Sequence, residues 1–448
     1  MSGELPRGWV NTTIGEINDY SSCNIDPLKE PEQVFELYSV PIYPTGRPEY
    51  VRGQDIGSTK QSVEPGDVLL CKINPRINRV WMVGPKSEWP QIGSSEWVVI
   101  RQPLIHAGFL RYQLSESSFR EKLCSEVSGV GGSLTRAQPK KVATYSLVLP
   151  PAAEQTRIAA KLDELLAQVD TLKARIDDIP ALLKRFRQSV LAAAVSGRLT
   201  EEWRRTHDID EPEVSWKAIE LVEISALVTS GSRGWANYYA SNGAIFIRSQ
   251  DINTDELDTS ETAFVRLPES SEGKRTRVQV QDILITITGA NVGKVARVKQ
   301  ALPEAYVSQH VALVRLQRPE LAPFVELYLK DVGSGRKKLT ELAYGGGKPG
   351  LNLSNIRDLA FALPSLEEQT EIVRRVEQLF AFAEQLEAKV ASAKIRIEHL
   401  TQSILAKAFR GELVPQDPND EPASVLLECI KTQRAAAPKA KRGRKASA

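Results

Sequence analysis

The 448-residue chain contains few metal-binding or redox-active side chains and no long apolar run. Its four cysteines form no CxxC pair, and its four histidines are isolated; these residues are Cys23, Cys71, Cys124, Cys429, His106, His207, His310 and His399. The spacing supports neither a zinc site nor a disulfide framework. No window approaches the roughly 20 apolar residues that a membrane span requires. The opening residues, MSGELPRGW, do not match a signal peptide. We therefore expect a cytoplasmic protein without a metal ion or membrane association.

A large excess of one charge is also absent, since the formal net charge is only +2. Residues 1–149 carry sixteen basic and sixteen acidic side chains, and residues 206–362 carry eighteen and twenty. From Arg434 onward, by contrast, the sequence has six basic side chains and no acidic one. Two interpretations of this basic segment remain open, a solvated chain end and a weak phosphate-binding arm.

No catalytic motif is complete. TGANVGKV, at Thr288–Val295, resembles a phosphate-binding loop, but its GxxxGK spacing is one residue short and Val295 replaces the required hydroxyl residue. INPR, at Ile73–Arg76, begins like the NPPY motif of amino-methyltransferases but lacks the second proline and the aromatic residue. No glycine-rich dinucleotide fingerprint follows a predicted strand. The chain is therefore predicted to be non-catalytic and to bind no cofactor itself.

One long segment of the sequence occurs twice. Leu149–Thr200 aligns with Leu363–Val414 at a constant offset of 214 residues without a gap, and about a third of the pairs are identical. The similarity is clearest in FRQSVLAAAVSGRL, which starts at Phe186, and LTQSILAKAFRGEL, which starts at Leu400. An ungapped match of this length indicates an internal duplication.

Each copy has apolar residues at spacings that alternate between four and three. This 3.5-residue period extends over about five heptads and predicts a coiled-coil seam. The seam residues are Ile158, Leu162, Leu165, Val169, Leu172, Ile176 and Leu183 in the first copy, and Ile372, Val376, Leu379, Leu386, Val390, Ile397 and Leu400 in the second. The equal lengths favour an antiparallel intramolecular pair, although each helix could instead pair with another protein.

Three residues predict where these helices end or bend. Gly197 and Gly411 occupy equivalent positions and are predicted to be C-terminal caps. Pro180 is expected to kink or restart the first helix, because proline lacks a backbone donor and clashes with the preceding turn.

The segments that precede the two helices also resemble each other. Trp9 and Trp216 stand near their starts, RGQDI at Arg52–Ile56 matches RSQDI at Arg248–Ile252, and Gly131–Gly132 matches Gly345–Gly346. GDVLL, from Gly66, likewise matches QDILI, from Gln281. Strands are predicted in DVLLCKI, WVVIR, DILITIT and HVALVRL, and helices in LRYQLSESSFREKL and FVELYLKDVGSG, the latter closed by glycine.

These patterns predict an α+β protein in which two mixed α/β domains are joined by two long helices with pseudo-two-fold symmetry. The predicted parts are a first mixed domain at 1–149, a helical region at 150–205, a second mixed domain at 206–363, a second helical region at 364–414 and a basic C-terminal tail at 415–448. Each domain of about 150 residues is large enough to fold alone.

Two loops have the composition of DNA contacts. CKINPRINRVW, from Cys71, is rich in arginine and asparagine, which fit guanine and adenine edges, whereas GSRGWANYY, from Gly231, combines glycine, Arg233 and Asn237 with three aromatic residues. The alternatives are a solvated loop for the first and a core position for Trp235 in the second. Glutamine before each DI motif could contact bases or position a strand, and the glycines of AYGGGKPG could approach DNA or form turns. The candidates are Lys72, Asn74, Arg76, Asn78, Arg79, Arg52, Gln54, Arg233, Asn237, Arg248, Gln250 and Lys348.

Over its whole length the chain resembles the specificity subunits of Type I restriction-modification systems, in particular subgroup IA. The most specific motifs are KLDELLAQVDTLKAR, LLKRFRQSVL, EIVRRVEQLFAFAE and LTQSILAKAFRGEL. The resemblance implies a non-catalytic reader of a bipartite, asymmetric double-stranded DNA target. It also implies two modification subunits, which methylate adenine with S-adenosylmethionine, and two restriction subunits, which use ATP. S-adenosylmethionine, ATP and Mg²⁺ would then bind these partners.

The near-neutral domains oppose tight DNA binding by the chain alone, because phosphate neutralisation supplies most non-specific affinity. The resemblance offers a source of the missing positive charge in the modification subunits. Two other classes of function remain open, a coiled-coil scaffold that binds only proteins and a self-contained methyltransferase or nuclease.

Overall fold

A computed structural model describes residues 5–125, 135–267, 275–345 and 349–436 of the chain. Contacts divide the chain into two compact units. Unit 1 comprises Met1–Ile176 and Ser392–Ala448, and unit 2 comprises Asp177–Ala391. Each unit therefore contains one mixed α/β domain together with one part of each long helix.

The domain of unit 1, called the first domain, has ten strands and four short α-helices within its described residues. The strands are β1 Val10–Thr13, β2 Asn24–Ile25, β3 Val34–Tyr38, β4 Glu49–Arg52, β5 Lys60–Ser62, β6 Val68–Cys71, β7 Val80–Met82, β8 Gln91–Gly93, β9 Trp97–Ile100 and β10 Ser146–Leu149. The helices are α1 Ile14–Ile17, α2 Ala107–Ser115, α3 Ser117–Ser125 and α4 Pro139–Val142. The first long helix, α5, follows at Ala152–Val195.

Three sheets form the first domain. Their strand orders are β1-β10, β2-β5-β8-β3-β4 and β7-β6-β9. Strand β6 is buried along its whole length, as its apolar sequence VLLC predicts. It is central in its sheet because both neighbours pair with it in antiparallel orientation.

The domain of unit 2, called the second domain, follows α6 Glu201–Thr206 and α7 Pro212–Ser215. Its strands are β11 Lys217–Glu220, β12 Ser225–Ser230, β13 Tyr239–Ala240, β14 Ala244–Ile247, β15 Ala263–Val265, β16 Ile283–Thr286, β17 Val295–Arg297, β18 Ala305–Val307, β19 Val311–Leu316 and β20 Ala360–Leu363. Its helices are α8 Ala322–Lys330, α9 Gly335–Glu341 and α10 Leu353–Arg357. The second long helix, α11 Leu366–Phe409, and then α12 Ala423–Ala436 complete the described chain.

The two domains share one framework. The sheet orders of the second domain are β11-β20, β13-β15-β14-β18 and β12-β19-β16-β17. In each domain an antiparallel ribbon joins the first strand to the last, β1 to β10 and β11 to β20. Each also has one parallel pair, β3 with β8 and β14 with β18. The predicted strands are confirmed at β6, β9, β16 and β19. Helix α8 differs from its prediction because it ends at Lys330, before the glycines.

A buried arginine–aspartate pair recurs in this framework. Asp67, which precedes β6, accepts two hydrogen bonds from Arg101, which follows β9. Asp282 and Arg315 form the equivalent pair beside β16 and β19, at distances of 2.7 and 2.8 Å. Both carboxylates are only 1% exposed. Each pair therefore joins two neighbouring strands of its sheet with charge-assisted hydrogen bonds.

The ends of the long helices follow the prediction in part. Gly197 and Gly411 adopt left-handed φ angles of 75° and 73° shortly after α5 and α11 end, which confirms the predicted caps. Helix α5 is continuous through Pro180, so the predicted restart is wrong. One missing donor within a 44-residue helix removes too few hydrogen bonds to end it.

Within unit 2 the two helix segments run antiparallel. Arg187 pairs with Glu387, whereas Arg375 donates to the carbonyl of Leu199. Residue numbers therefore rise along one segment as they fall along the other. In unit 1, residues near the start of α5 share a buried apolar cluster with residues near the end of α11; these are Ile158, Ala159, Leu162, Leu405 and Ala408.

The predicted seam is buried only in parts. Six of its residues are buried: Ile158, Leu162, Val169, Leu183, Ile372 and Val376. Six are partly buried: Leu165, Ile176, Leu379, Leu386, Val390 and Ile397. The prediction is wrong for Leu172 and Leu400, which are 48% and 46% exposed within unit 1. Heptad spacing identifies the apolar stripe of a helix but not the length over which a neighbour covers it.

The same hydrogen bond fastens each domain to the start of the helix that follows it. Trp9 Nε1 donates to Glu154 Oε2 at 2.9 Å, and Trp216 Nε1 donates to Glu368 Oε2 at 2.8 Å. Both glutamates are 1% exposed. We call this indole–carboxylate hydrogen bond the latch. It explains why each domain has a tryptophan near its start and why both long helices begin with the same residues, Glu-Gln-Thr at 154–156 and 368–370.

Residues 415–448 are not a simple basic tail, and this prediction requires correction. Helix α12 packs on the first domain through Ala423, Leu427 and Ile430, which lie on one face at spacings of four and three. Arg434 forms an ion pair with Asp19 at 3.1 Å. The residues after Ala436 lie outside the described ranges.

We predict that Trp216→Phe will destabilise the chain by about 2 kcal/mol, because it removes the donor to a buried carboxylate while preserving an aromatic ring. Urea unfolding monitored by circular dichroism would measure the loss. Trp203→Phe is the matched control, since Trp203 is partly exposed and stacks on His207. Equal unfolding midpoints for the two variants would contradict the structural role of the latch.

Candidate nucleic-acid interface

The predicted contact loop of the first domain, Lys72–Arg79, joins β6 to β7 and is called loop A. A single 3-10 turn at Pro75–Ile77 forms its tip. The flanking residues Asn74 and Asn78 both have φ angles of +48°. Asparagine tolerates this left-handed region better than most residues, which explains its presence at both ends of the turn.

Most side chains of loop A bind the protein itself. Lys72 Nζ donates to the Ser95 carbonyl at 2.6 Å, and Asn78 Nδ2 donates to the Ser115 carbonyl at 2.9 Å. Arg79 folds inward toward the Ile73 carbonyl at 3.4 Å. These contacts fix the conformation of the loop.

Arg76 is different. It is exposed at the tip and forms no hydrogen bond or ion pair with any described residue. Its guanidinium is therefore free to bind an external group.

Loop A also contains buried acceptors that no described donor satisfies, Asn74 Oδ1 and Asn78 Oδ1. Beside them, burial raises the pKa of the Cys71 thiol, which therefore stays protonated near neutral pH. A protonated, buried thiol is a poor nucleophile. The loop thus presents hydrogen-bonding groups rather than an activated nucleophile.

The two QDI motifs occupy different places in the fold, which corrects their predicted equivalence. RGQDI follows β4, an edge strand, whereas RSQDI follows β14, an internal strand. The counterpart of β14 is β3, because each forms the parallel pair of its sheet. Arg52 pairs loosely with exposed Glu32 at 3.7 Å, and Gln54 is exposed. No described contact connects Arg52 or Gln54 to loop A.

Arg248 and Gln250 have mainly local contacts. Arg248 donates to Asp251 at 2.9 Å and to the Glu261 carbonyl at 3.1 Å, so its guanidinium is held within the domain. Gln250 is exposed, and its amide oxygen can accept from Arg248 at 3.1 Å.

The predicted contact loop of the second domain presents Arg233 and Asn237 at its surface. Trp235 instead packs in the core, where it stacks on Phe246 at a ring-centroid distance of 5.6 Å. Gly231 passes very close to β18, since a Cβ there would lie 2.1 Å from the Val307 carbonyl oxygen. This close approach requires glycine and fixes the base of the loop that carries Arg233.

Sequence reasoning missed a second loop, Ile287–Lys294, which joins β16 to β17 and is called loop B. Its backbone repeats loop A at an offset of 215 residues. In both loops, the backbone N–H of the first residue after the strand donates to the carbonyl of the residue that precedes the neighbouring strand. Lys72 donates to the Glu96 carbonyl at 3.0 Å, and Ile287 donates to the His310 carbonyl at 2.9 Å.

Three further pairs of backbone hydrogen bonds are equivalent, each written here from the N–H donor to the carbonyl acceptor. The first domain has Cys71 to Arg79, Asn74 to Thr135 and Ala137 to Lys72. The second domain has, in the same order, Thr286 to Lys294, Gly289 to Pro349 and Leu351 to Ile287. Gly289 and Gly293 adopt φ angles of +91° and +84°, where loop A has its two asparagines. The signal in the sequence is the offset of 215 residues between GDVLL and QDILI, since the two loops follow at the same offset but share no identical residue.

Some predicted positions lie outside the described residues. These are Lys348, Gly131, Gly132 and Gly346, together with the basic side chains after Ala436.

Comparisons with known proteins support the resemblance described above. Residues 214–393 match the family described as Type I restriction modification DNA specificity domain. The chain is 30% identical to the EcoKI specificity subunit of Escherichia coli K12, with all of both chains covered. It is 35% identical to the StySPI specificity subunit of Salmonella potsdam, with 99% of each chain covered.

The chain belongs to the family of Type I restriction enzyme specificity subunits. Its fold also matches the HsdS subunit of Thermoanaerobacter tengcongensis with a TM-score of 0.61, at 23% identity and covering 92% of this chain and 99% of that one. Specificity subunits recognise DNA, which is the setting in which loops A and B are to be interpreted.

The described residues contain no group of three or more histidine, cysteine or acidic side chains arranged to hold a metal ion. None of the helices in the described ranges combines the length and apolar character that a bilayer crossing requires.

Proposed function

We propose that this specificity subunit reads a bipartite, asymmetric DNA target, with one half-site for each domain. The observation that carries the proposal is that loops A and B share one backbone frame but present different side chains. Where the first domain has Arg76, Glu96 and Arg136, the second has Asn291, His310 and Gly350. Equal frames with unequal hydrogen-bonding groups favour two unlike half-sites.

Loop A is the proposed contact of the first domain. Arg76 is exposed and unpaired among the described residues, and arginine is the side chain that most often contacts guanine. Left-handed asparagines and unsatisfied acceptors cost free energy, and such strain concentrates at functional sites. The remaining loop residues, Lys72, Asn74, Asn78 and Arg79, would chiefly hold Arg76 in position.

The long helices are proposed to set the separation of the half-sites. An antiparallel pair formed by α5 and α11 would act as a spacer. Half-sites about one helical turn apart, roughly 34 Å, would present the same face of the duplex to both domains.

We further propose that two modification and two restriction subunits dock on this chain and supply the chemistry. They would bind S-adenosylmethionine, ATP and Mg²⁺. Exposed apolar side chains on the long helices support docking: Leu172, Leu182, Phe382, Ile395 and Leu400. The balanced charge of the domains supports weak DNA binding by the isolated chain and a cationic contribution from its partners.

The proposal is tested by mapping methylated adenines in a genome with and without this chain, in the presence of its partner subunits. We expect methylation in a pattern of two short sequences at fixed separation, and complete loss of that pattern without the chain. A pattern that persists unchanged in its absence would contradict the proposal.

We predict that Arg76→Ala will weaken specific DNA binding by the assembled complex by about 1–3 kcal/mol, because it removes a donor without disturbing the fold. Fluorescence anisotropy with duplex targets would measure the change. Lys86→Ala is the control, since Lys86 is exposed at the opposite end of β7 and also removes one positive charge. The role of loop A would be wrong if both variants bound equally well.

A further inference from the structure

Loop B lies within a larger polar surface of the second domain. Thr288 Oγ1 and His310 Nδ1 are hydrogen-bonded, and Gln309 Nε2 lies 3.2 Å from His310 Nε2. Asn291 Nδ2 reaches the Ser249 carbonyl at 3.3 Å. These contacts bring together three segments that are far apart in sequence, namely loop B, the residues after β18 and the turn after β14.

The loop that carries Arg233 borders the same surface. Gly231 N donates to the Ser308 carbonyl at 3.3 Å, immediately before Gln309. Arg233 and Gln309 are both exposed. Arg233 forms no hydrogen bond or ion pair with any described residue, so its charge is available to a ligand.

The lysine of loop B is not available in the same way. Lys294 Nζ lies 3.5 Å from Asp255 Oδ2, and Arg336 also pairs with Asp255. Asp255 Oδ1 additionally accepts from the backbone N–H of Val295 at 2.9 Å. A carboxylate therefore occupies the position where a phosphate-binding loop would hold its anion, which excludes that function for TGANVGKV.

Among the described residues around loop B, amide and hydroxyl groups predominate, with the exposed Arg233 at the border. Amides and hydroxyls can bind base edges, and an arginine can bind either a guanine edge or a phosphate. Glutamine in particular matches the N6 and N7 groups of adenine with two hydrogen bonds. The surface thus has the chemistry of base readout beside one backbone contact.

We propose that loop B, Gln309 and His310 form the DNA-contact surface of the second domain, with Gln309 contacting a base edge and Arg233 a neighbouring phosphate. This inference rests on the proposed function, and it assigns the half-site of the second domain to specific residues. Loop B, rather than the predicted contact loop that starts at Gly231, is then the counterpart of loop A. Arg248 and Gln250 then support the surface from its edge.

The test uses the chain assembled with its modification subunits and a target first defined by methylation mapping. Gln309→Ala should lower affinity for the specific duplex by about tenfold and relax discrimination at one base pair of one half-site. Arg233→Ala should weaken binding to all sequences and reduce the salt dependence by about one phosphate contact. Gln300→Ala is the matched control, because Gln300 is an exposed glutamine on the β17–β18 connection.

A second arm protects the test against misfolding. Thr288→Val retains the shape of the side chain but removes the hydroxyl that holds His310, and it should relax the same half-site while the thermal unfolding midpoint is unchanged. In Gln309→Ala and Thr288→Val, discrimination between correct and incorrect base pairs should stay unchanged in the other half-site, the one that Arg76→Ala affects.

The outcomes separate the two proposals. If the unmodified complex shows specific binding but Gln309→Ala and Thr288→Val retain full discrimination in both half-sites, the assignment of loop B is overturned and the proposed function stands. If the unmodified complex shows no sequence-specific binding, the proposed function fails and the assignment fails with it.

Discussion

Each domain depends on one buried hydrogen bond, between the indole of its first tryptophan and a glutamate at the start of the following long helix. This latch closes a domain in which the first and last strands already pair. Because the glutamate lies in the first turn of the helix, the latch connects the β-framework directly to the long helix. The duplicated sequence is therefore best understood as a repeated attachment point, which holds a domain by its two ends.

The two latches differ in how the second carboxylate oxygen is satisfied. Glu368 Oε1 accepts from Thr200 at 2.7 Å and from Arg204 at 2.6 Å. Glu154 Oε1 is buried without a described donor, and burial raises the pKa of this carboxyl. A buried charge is stable only when it is paired, so the latch of unit 2 is expected to be the stronger one. The nearby Arg157–Asp420 pair stabilises unit 1 through the segment that leads into α12.

The sequence predicted the repeating parts of the fold well and the exceptions poorly. Heptads identified α5 and α11, and runs of branched aliphatic residues identified the buried strands. Periodicity could not reveal that Leu172 and Leu400 are exposed, because coverage by a neighbour is a tertiary property. Helix α12 was missed although Ala423, Leu427 and Ile430 have helical spacing, because the six basic side chains from Arg434 onward led us to predict a basic tail over 415–448. Loop A was predicted as a DNA contact from its arginines and asparagines, and this stays a prediction. Loop B was missed because glycine meets the same left-handed requirement without a DNA-binding composition.

Under the proposed function, the common attachment and common frame predict that the two domains can replace each other and that the side chains on the frame set the specificity. The most direct measurement is the methylation pattern produced by a chain in which residues 10–149 are replaced by a second copy of residues 217–363, assembled with the partner subunits. The account predicts a symmetric target with the same short sequence inverted in both halves. A folded assembly of this kind that kept the original asymmetric target would contradict it.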